Sequence, residues 1–156
     1  MNQPRFPFTL RPAMESDATA IAGLAAELGY PADAEVMNAR LRTLLESPSD
    51  LLLVSVSASE KVIGWMQAHA AHLLESGFRV EILGLVVSGE SRRSGVGRAL
   101  LAEVETWARN LGASAIVVRS NVRRTESHAF YPACGYEIAK TQHVYRKMLR
   151  KECRDS

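Results

Sequence analysis

Residues 91–101 read SRRSGVGRALL. Two glycines, Gly95 and Gly97, and three arginines, Arg92, Arg93 and Arg98, meet there at the start of a helical pattern. A helix that begins at such a point presents free backbone N–H groups and the positive end of its dipole. That end binds anions, phosphate above all. Glycine removes the side chain that would hold a phosphate off the backbone, and it permits a turn with positive φ. The arginines add charge around the same hollow. The chemistry predicted for Arg92, Arg93, Ser94, Gly95, Val96, Gly97 and Arg98 is therefore a diphosphate cradle. Two other glycine-rich patterns fit badly. A dinucleotide fingerprint needs a third glycine where Leu100 stands, and a P-loop needs a lysine that does not follow.

Other residues invite chemistry singly. Glu81 is an acid inside the apolar run RVEILGLVV. A carboxylate there is costly unless it faces water, a cation such as Arg79, or a cleft. Unbroken strand alternation puts it on the face of Leu83, Leu85 and Val87. His69 and His72 lie on or after the neighbouring strand. Tyr131, in AFYPACGY, carries a phenol that stays protonated at neutral pH and can donate to a departing thiolate. Its other reading is a packed aromatic at a helix end. Asn121 is a strand-end cap or a hydrogen-bonding partner for a ligand. Arg119, Arg123 and Arg124 form a second basic cluster beside it. Cys134 reads as a small apolar residue.

The elements that must position these groups follow from periodicity. Residues 8–11 alternate weakly and predict a first strand. Ser16 or Asp17 can cap a helix bearing Ile21, Leu24 and Leu28, which Gly29 ends. Asp33 can start a second helix with Met37, Leu41, Leu44 and Leu45. The period then changes to that of strands at residues 51–58, 62–70 and 78–87, an antiparallel meander. Val96, Leu100, Val104, Trp107, Ala108 and Leu111 predict a long helix that stops at Gly112. Residues 114–120 predict another strand, and a short helix follows near residues 125–134. Residues 136–139 and 143–148 read as two closing strands. The fold class predicted is mixed α/β with a β-α-β crossover at its centre.

Length and composition bound the function. The 156 residues make one domain, 1–156, with room for a sizeable core. A net charge of +2 is too balanced for a nucleic-acid protein. No apolar run approaches the ~20 residues of a membrane span, and the opening MNQPRFPFTLRPA has no signal-peptide core. Two cysteines and four histidines show no disulfide framework or metal-ligand spacing. The expectation is a cytoplasmic protein with no metal, no nucleic-acid partner and no membrane partner.

The pattern R-x-x-G-x-G at residues 92–97, after an apolar strand and before an amphipathic helix, resembles the GNAT superfamily of acyl-CoA-dependent N-acyltransferases. So does SNVRRTESHAFYPACGY, in which Asn121, Ala129, Phe130, Tyr131, Gly135 and Tyr136 match the family's later segment. The opening LRPAMESDATAIAGLAAELGYP is similar to its first strand and helix. The sequence departs from the family's pattern where Gly89 replaces a frequent proline and Arg93 a frequent glycine.

The resemblance implies a mostly antiparallel sheet of six to seven strands with about four helices, and acetyl-CoA as co-substrate. It implies that the cradle holds the diphosphate and that Leu85, Val86 and Val87 pair their backbone with the pantetheine arm. The N–H of Val87 would then face the thioester oxygen. Asn121 and Tyr131 would contact the cofactor, Tyr131 would protonate the thiolate, and Glu81 would deprotonate the amine. Glu27, Tyr30, Glu75, His69 and His72 are candidates for the acceptor pocket. The activity implied is acetylation of a small-molecule primary amine by direct attack, with a homodimer as the family-level expectation. Rival readings are a peptide or protein N-acetyltransferase, a non-catalytic CoA-binding module and an arginine-based nucleic-acid binder.

Overall fold

The computed structural model describes residues 7–121 and 125–150. They divide into two compact units, one ending at Arg119 and one beginning at Ser120. The first holds a five-stranded sheet in the order β1 (Phe8–Pro12), β2 (Asp50–Ser57), β3 (Val62–Leu73), β4 (Gly77–Val87), β5 (Ile116–Val118). The first three pairings are antiparallel and the last, β4 with β5, is parallel. This is the expected mixed fold, with the meander and the crossover where periodicity put them.

The helices form where the predicted caps stand. α1 (Ala18–Glu27) follows a short 3-10 turn, and Gly29 ends it at φ +87. Asp17 precedes it, but its carboxylate turns back to accept from the Met14 N–H and from Nη1 and Nη2 of Arg11. α2 (Ala34–Leu45) is capped by Asp33, whose Oδ1 accepts from the Val36 N–H at 2.8 Å. α3 (Val96–Leu111) buries Val96, Leu100, Leu101, Val104 and Ala108, the stripe of a 3.6-residue period. The stripe omits Leu111, which is exposed, and includes Leu101, which the expected face left out.

Helices cover both faces of the sheet. Val54, Trp65 and Val86 stand opposite one another across β2, β3 and β4, and pack with Ile21, Leu24 and Leu41 of α1 and α2. The other face takes α3. A Cβ at Gly64 would lie 3.2 Å from Val96 Cγ1 and 3.0 Å from the Val86 carbonyl oxygen. The bare Cα of Gly64 thus seats the first turn of α3 tightly against β3 and β4.

The second unit contains α4 (Thr125–Ala133), closed by Gly135 at φ +89. The expected closing strands are corrected: residues 136–150 form no strand, so the described sheet has five strands rather than six or seven. Alternation shows only that a segment could pair, whereas a strand exists through the ladder it makes with a neighbour. Here Val144 and Tyr145 are 86% and 90% exposed.

Candidate functional site

β4 carries the site, and one irregularity organises it. Gln67 stands opposite Gly84 and Ala68 opposite Ile82, so Leu83 has no partner on β3. This is a β-bulge. It changes the phase of every residue after it. Before the bulge, the Val80 N–H donates to Ala115 on the β5 side. After it, the Ser88 N–H donates to Ile63 of β3, and the Val86 oxygen also lies on that side. Alternation then points the backbone groups of Leu85 and Val87 away from β3.

Away from β3 the ladder is incomplete. β5 pairs with β4 only at Val80, Glu81 and Ile82, while β4 continues to Val87. Among the described residues, β4 has no ladder partner on that side from Leu83 onward. The ladder thus stops at Ile82 and Val118, the base of a V in the pairing pattern whose one arm is the unpartnered end of β4. The exposed donors and acceptors of Leu85 and Val87 line one arm.

At the mouth of the V, past Val87, the chain enters the cradle. Gly95 adopts φ 90 and ψ 1, and α3 starts at Val96. The first intrahelical bond runs from the Ala99 N–H to the Gly95 carbonyl. The N–H groups of Val96, Gly97 and Arg98 therefore have no helical acceptor. A Cβ on Gly95 would meet nothing within 4 Å, so the space before these amides is open. Ser94 is buried and its hydroxyl donates to the Ser91 carbonyl, bracing the loop. Arg92, Arg93 and Arg98 are exposed around it. Arg93 takes φ 62, a left-handed conformation that glycine adopts more easily. The geometry thus explains why a glycine suits position 93, and the arginine there accepts backbone strain. This set fits a diphosphate followed by an extended polar arm: amides at the cradle, then a row of unpaired backbone groups.

The bulge also corrects the placement of Glu81. Residues directly opposite share a face of the sheet. Glu81 stands opposite His69, and Gly84 and Val86 opposite Gln67 and Trp65. Glu81 therefore shares its face with Gly84 and Val86, toward α1 and α2, and not with Leu85 and Val87. There Oε1 of Glu81 receives Arg119 Nη1 at 2.6 Å, and Oε2 lies 3.9 Å from Arg79 Nη2. The Glu81 side chain is only 14% exposed, so the cations answer a charge that water reaches poorly.

Next to it, His69 Nδ1 lies 3.1 Å from Asp50 Oδ1, and Asp50 stands opposite His69 on β2. A polar row Asp50–His69–Glu81 thus crosses three strands at the base of the V. The Trp65 indole lies over Gly84, where a Cβ would come within 2.7 Å of the ring. Trp65 Nε1 is buried and has no hydrogen-bond partner among the described residues.

The remaining expected residues scatter. His72 is one step out of phase with His69, so it faces the other side of the sheet, and it stacks on Phe78 at 4.3 Å. Glu27 lines a cavity of 260 Å³ with Leu24, Lys61, Val62, Ser88, Gly89 and Glu90, beside the loop into the cradle. Tyr30 is exposed beyond α1, and Glu75 is exposed at the β3–β4 turn. In the second unit, Tyr131 packs edge-on against Phe130 and Tyr136 at 5.1 and 5.8 Å, and Asn121 is exposed. Arg123 and Arg124 lie outside the described residues. Sequence reasoning missed Asp50, Gln67 and Trp65. Their only signal was a polar or bulky residue at the face-matching positions of paired strands, which requires the register.

Among the described residues, no three His, Cys, Asp or Glu side chains gather to hold a metal ion. No helix among them is long and apolar enough to cross a membrane.

Known proteins are similar to this chain. The model of the Acetyltransferase (GNAT) family matches residues 18–136. An aminoglycoside N(6')-acetyltransferase type 1 of Stenotrophomonas maltophilia is 31% identical over 145 residues, 90% of this chain and 94% of that protein. An aminoalkylphosphonate N-acetyltransferase of Salmonella typhimurium is 35% identical over 78 residues, 49% of this chain and 51% of that protein. Among solved structures, an aminoglycoside N-acetyltransferase in complex with CoA superposes with a TM-score of 0.81 at 21% identity, over 94% of this chain and 99% of that one.

Proposed function

This chain belongs to the GNAT family of acetyltransferases, and we propose that it moves an acetyl group from acetyl-CoA to the primary amine of a polar small molecule. The observation that carries the reading is the continuity of the cradle with the unpaired edge of β4. Free amides of Val96, Gly97 and Arg98 suit a diphosphate, with Arg92, Arg93, Ser94 and Gly95 forming the rest of the hollow. The outward backbone groups of Leu85 and Val87 suit the amides of a pantetheine arm laid along the V toward its base, whereas those of the expected Val86 are turned to β3. Acetyl-CoA supplies an activated carbonyl there. An outward N–H of Leu85 or Val87 polarises that carbonyl, and an oriented donor in a site that excludes water is worth far more than one in solution.

The acceptor reading rests on the row at the base of the V. Asp50, His69 and Glu81 give that row a polar lining, and the Trp65 indole beside Gly84 offers a flat surface for an uncharged ring. The aminoglycoside and aminoalkylphosphonate relatives support a polyfunctional small amine over a peptide. The resemblance assigns proton donation to the thiolate to Tyr131 and cofactor contact to Asn121. It assigns amine deprotonation to Glu81. Glu27, Tyr30 and His69 remain proposed acceptor-side residues, and His72, on the other face of the sheet, leaves that set. A cytoplasmic homodimer completes the reading, and light scattering checks its size.

The test is calorimetry with acetyl-CoA, followed by thiol release with a panel of aminoglycosides, aminoalkylphosphonates and N-terminal peptides. Saturable binding that Gly95→Glu and Gly97→Glu abolish supports the cradle. Release that depends on an aminoglycoside or aminoalkylphosphonate supports the acceptor class. Peptide-dependent release alone favours the protein-acetylating alternative, and binding without release a CoA-binding module.

A further inference from the structure

Asp50, His69 and Glu81 carry three different hydrogen-bonding situations in one row. Asp50 has a side chain only 7% exposed. Its Oδ2 accepts from the Ser47 hydroxyl at 2.6 Å, and its Oδ1 faces Gln67 Nε2 at 3.5 Å as well as His69 Nδ1 at 3.1 Å. An ionised carboxylate only accepts, so Nδ1 must carry the hydrogen. The lone pair of the neutral ring is then left on Nε2. The His69 side chain is 41% exposed while its Nδ1 edge is held against a buried carboxylate, so the open part of the ring is the Nε2 side. Glu81 is arranged differently. Arg119 holds Oε1 and Arg79 flanks Oε2, so a proton arriving at Oε1 must first displace a guanidinium group.

We infer that His69, held by Asp50, takes the proton from the acceptor amine. Asp50 is a positioning residue. This assignment rests on the acetyl-transfer reading above and replaces Glu81 as the base. The charged groups that face His69 are Asp50 from β2 and Glu81 from β4, the latter with its partners Arg79 and Arg119. His69 stands directly across from Glu81, one residue before the strands part at Ile82. Opposed side chains of this kind lie about 5 Å apart at Cβ, within reach of one small ammonium group.

The balance is simple. The ammonium group gives one proton to Nε2 of His69, which releases it to solvent. The neutral nitrogen forms a C–N bond to the acetyl carbon, and the C–S bond breaks with its electron pair on sulfur. The sulfur gains a proton from the acid, the role proposed for Tyr131, and the nitrogen loses a second proton, which by way of solvent restores that acid. The products are the amide, the free thiol and one proton.

The experiment uses the full chain, acetyl-CoA and an aminoglycoside acceptor, with thiol release followed from acid to alkaline pH. His69→Gln should lower kcat at neutral pH by about 100-fold or more. It should also abolish the acid limb of the kcat/KM profile while the calorimetric Kd for acetyl-CoA stays at the wild-type value. Asp50→Asn should lose less rate, because the ring keeps its Nε2 but loses the carboxylate that fixes its tautomer and orientation. Ring 15N shifts of His69 should report the Nδ1–H tautomer in the native chain. Should Asp50→Asn fail to fold, His69→Gln and the ring shifts still decide. The assignment is overturned if His69→Gln keeps the wild-type rate and acid limb, if Glu81→Gln is the variant that loses the limb, or if the ring shows the Nε2–H tautomer. A native chain that binds no acetyl-CoA overturns the acetyl-transfer reading itself, a result distinct from the others.

Discussion

Replacing Gly95 by alanine tests the cradle with little else disturbed. The residue sits at φ 90 and ψ 1, immediately before α3. An added Cβ would meet no atom within 4 Å, so collision with neighbours contributes nothing. What remains is the left-handed backbone itself, which costs an L-residue about 1–2 kcal/mol. Alanine also restricts the unfolded chain, which offsets about 0.4–1 kcal/mol of that. The net loss expected is about 1 kcal/mol, or about 2–4 °C in Tm for a domain of this size. Thermal and urea melts followed by circular dichroism would measure it. Gly95→Asn should recover part of the loss, because asparagine tolerates the left-handed region. If alanine instead relaxes the turn, the amides of Val96, Gly97 and Arg98 lose their common direction and acetyl-CoA binding should weaken in parallel. Unchanged melting together with unchanged binding would refute both the left-handed turn and its use.

Gly84→Ala should destabilise the fold by about 1–3 kcal/mol, because its Cβ would lie 2.7 Å from Trp65 Cη2 and Cζ3; a urea melt reads the loss, and KM for the amine should rise as the indole moves. Asp33→Ala removes the acceptor of the Val36 N–H and should lower stability by about 1 kcal/mol, read the same way. The paired hydrogen bonds from Arg11, with that from the Met14 N–H, hold the buried Asp17 carboxyl below its ordinary value. Stability from this group is therefore complete above the unfolded carboxylate range and is lost as pH falls through the depressed folded value. Asp17→Asn should cost about 1–3 kcal/mol at neutral pH, and the gap to the native chain should close in melts taken at increasingly acid pH below about 4.

Local chemistry makes the cradle legible in the chain alone. Gly95, Gly97 and the arginines lie within seven consecutive residues, so their meeting needs no tertiary information. The elements are equally legible, because the burial of Val96, Leu100, Val104 and Ala108 follows a period written in the chain. The caps at Asp33 and the stops at Gly29 and Gly112 are local for the same reason. Asp17 shows where that locality ends: it stands at a cap position, yet its carboxylate goes to Arg11, a choice made by a strand packing beside the turn.

The row proposed for the acceptor could not be read this way. Asp50, His69 and Glu81 are 31 residues apart from first to last, and only strand register brings them into one row. The alternation that linked Glu81 to Leu85 and Val87 was sound for a regular strand. One extra residue, Leu83, reversed it, because a period of two inverts with every insertion. Likewise, the segment at residues 143–148 has strand character without a strand, since pairing needs an edge as well as a pattern. The sequence by itself determined which helix opens on glycines and arginines and which residues build the layers. Tertiary structure decided which side chains face one another across the sheet, because register is a relation between distant segments that no single segment contains.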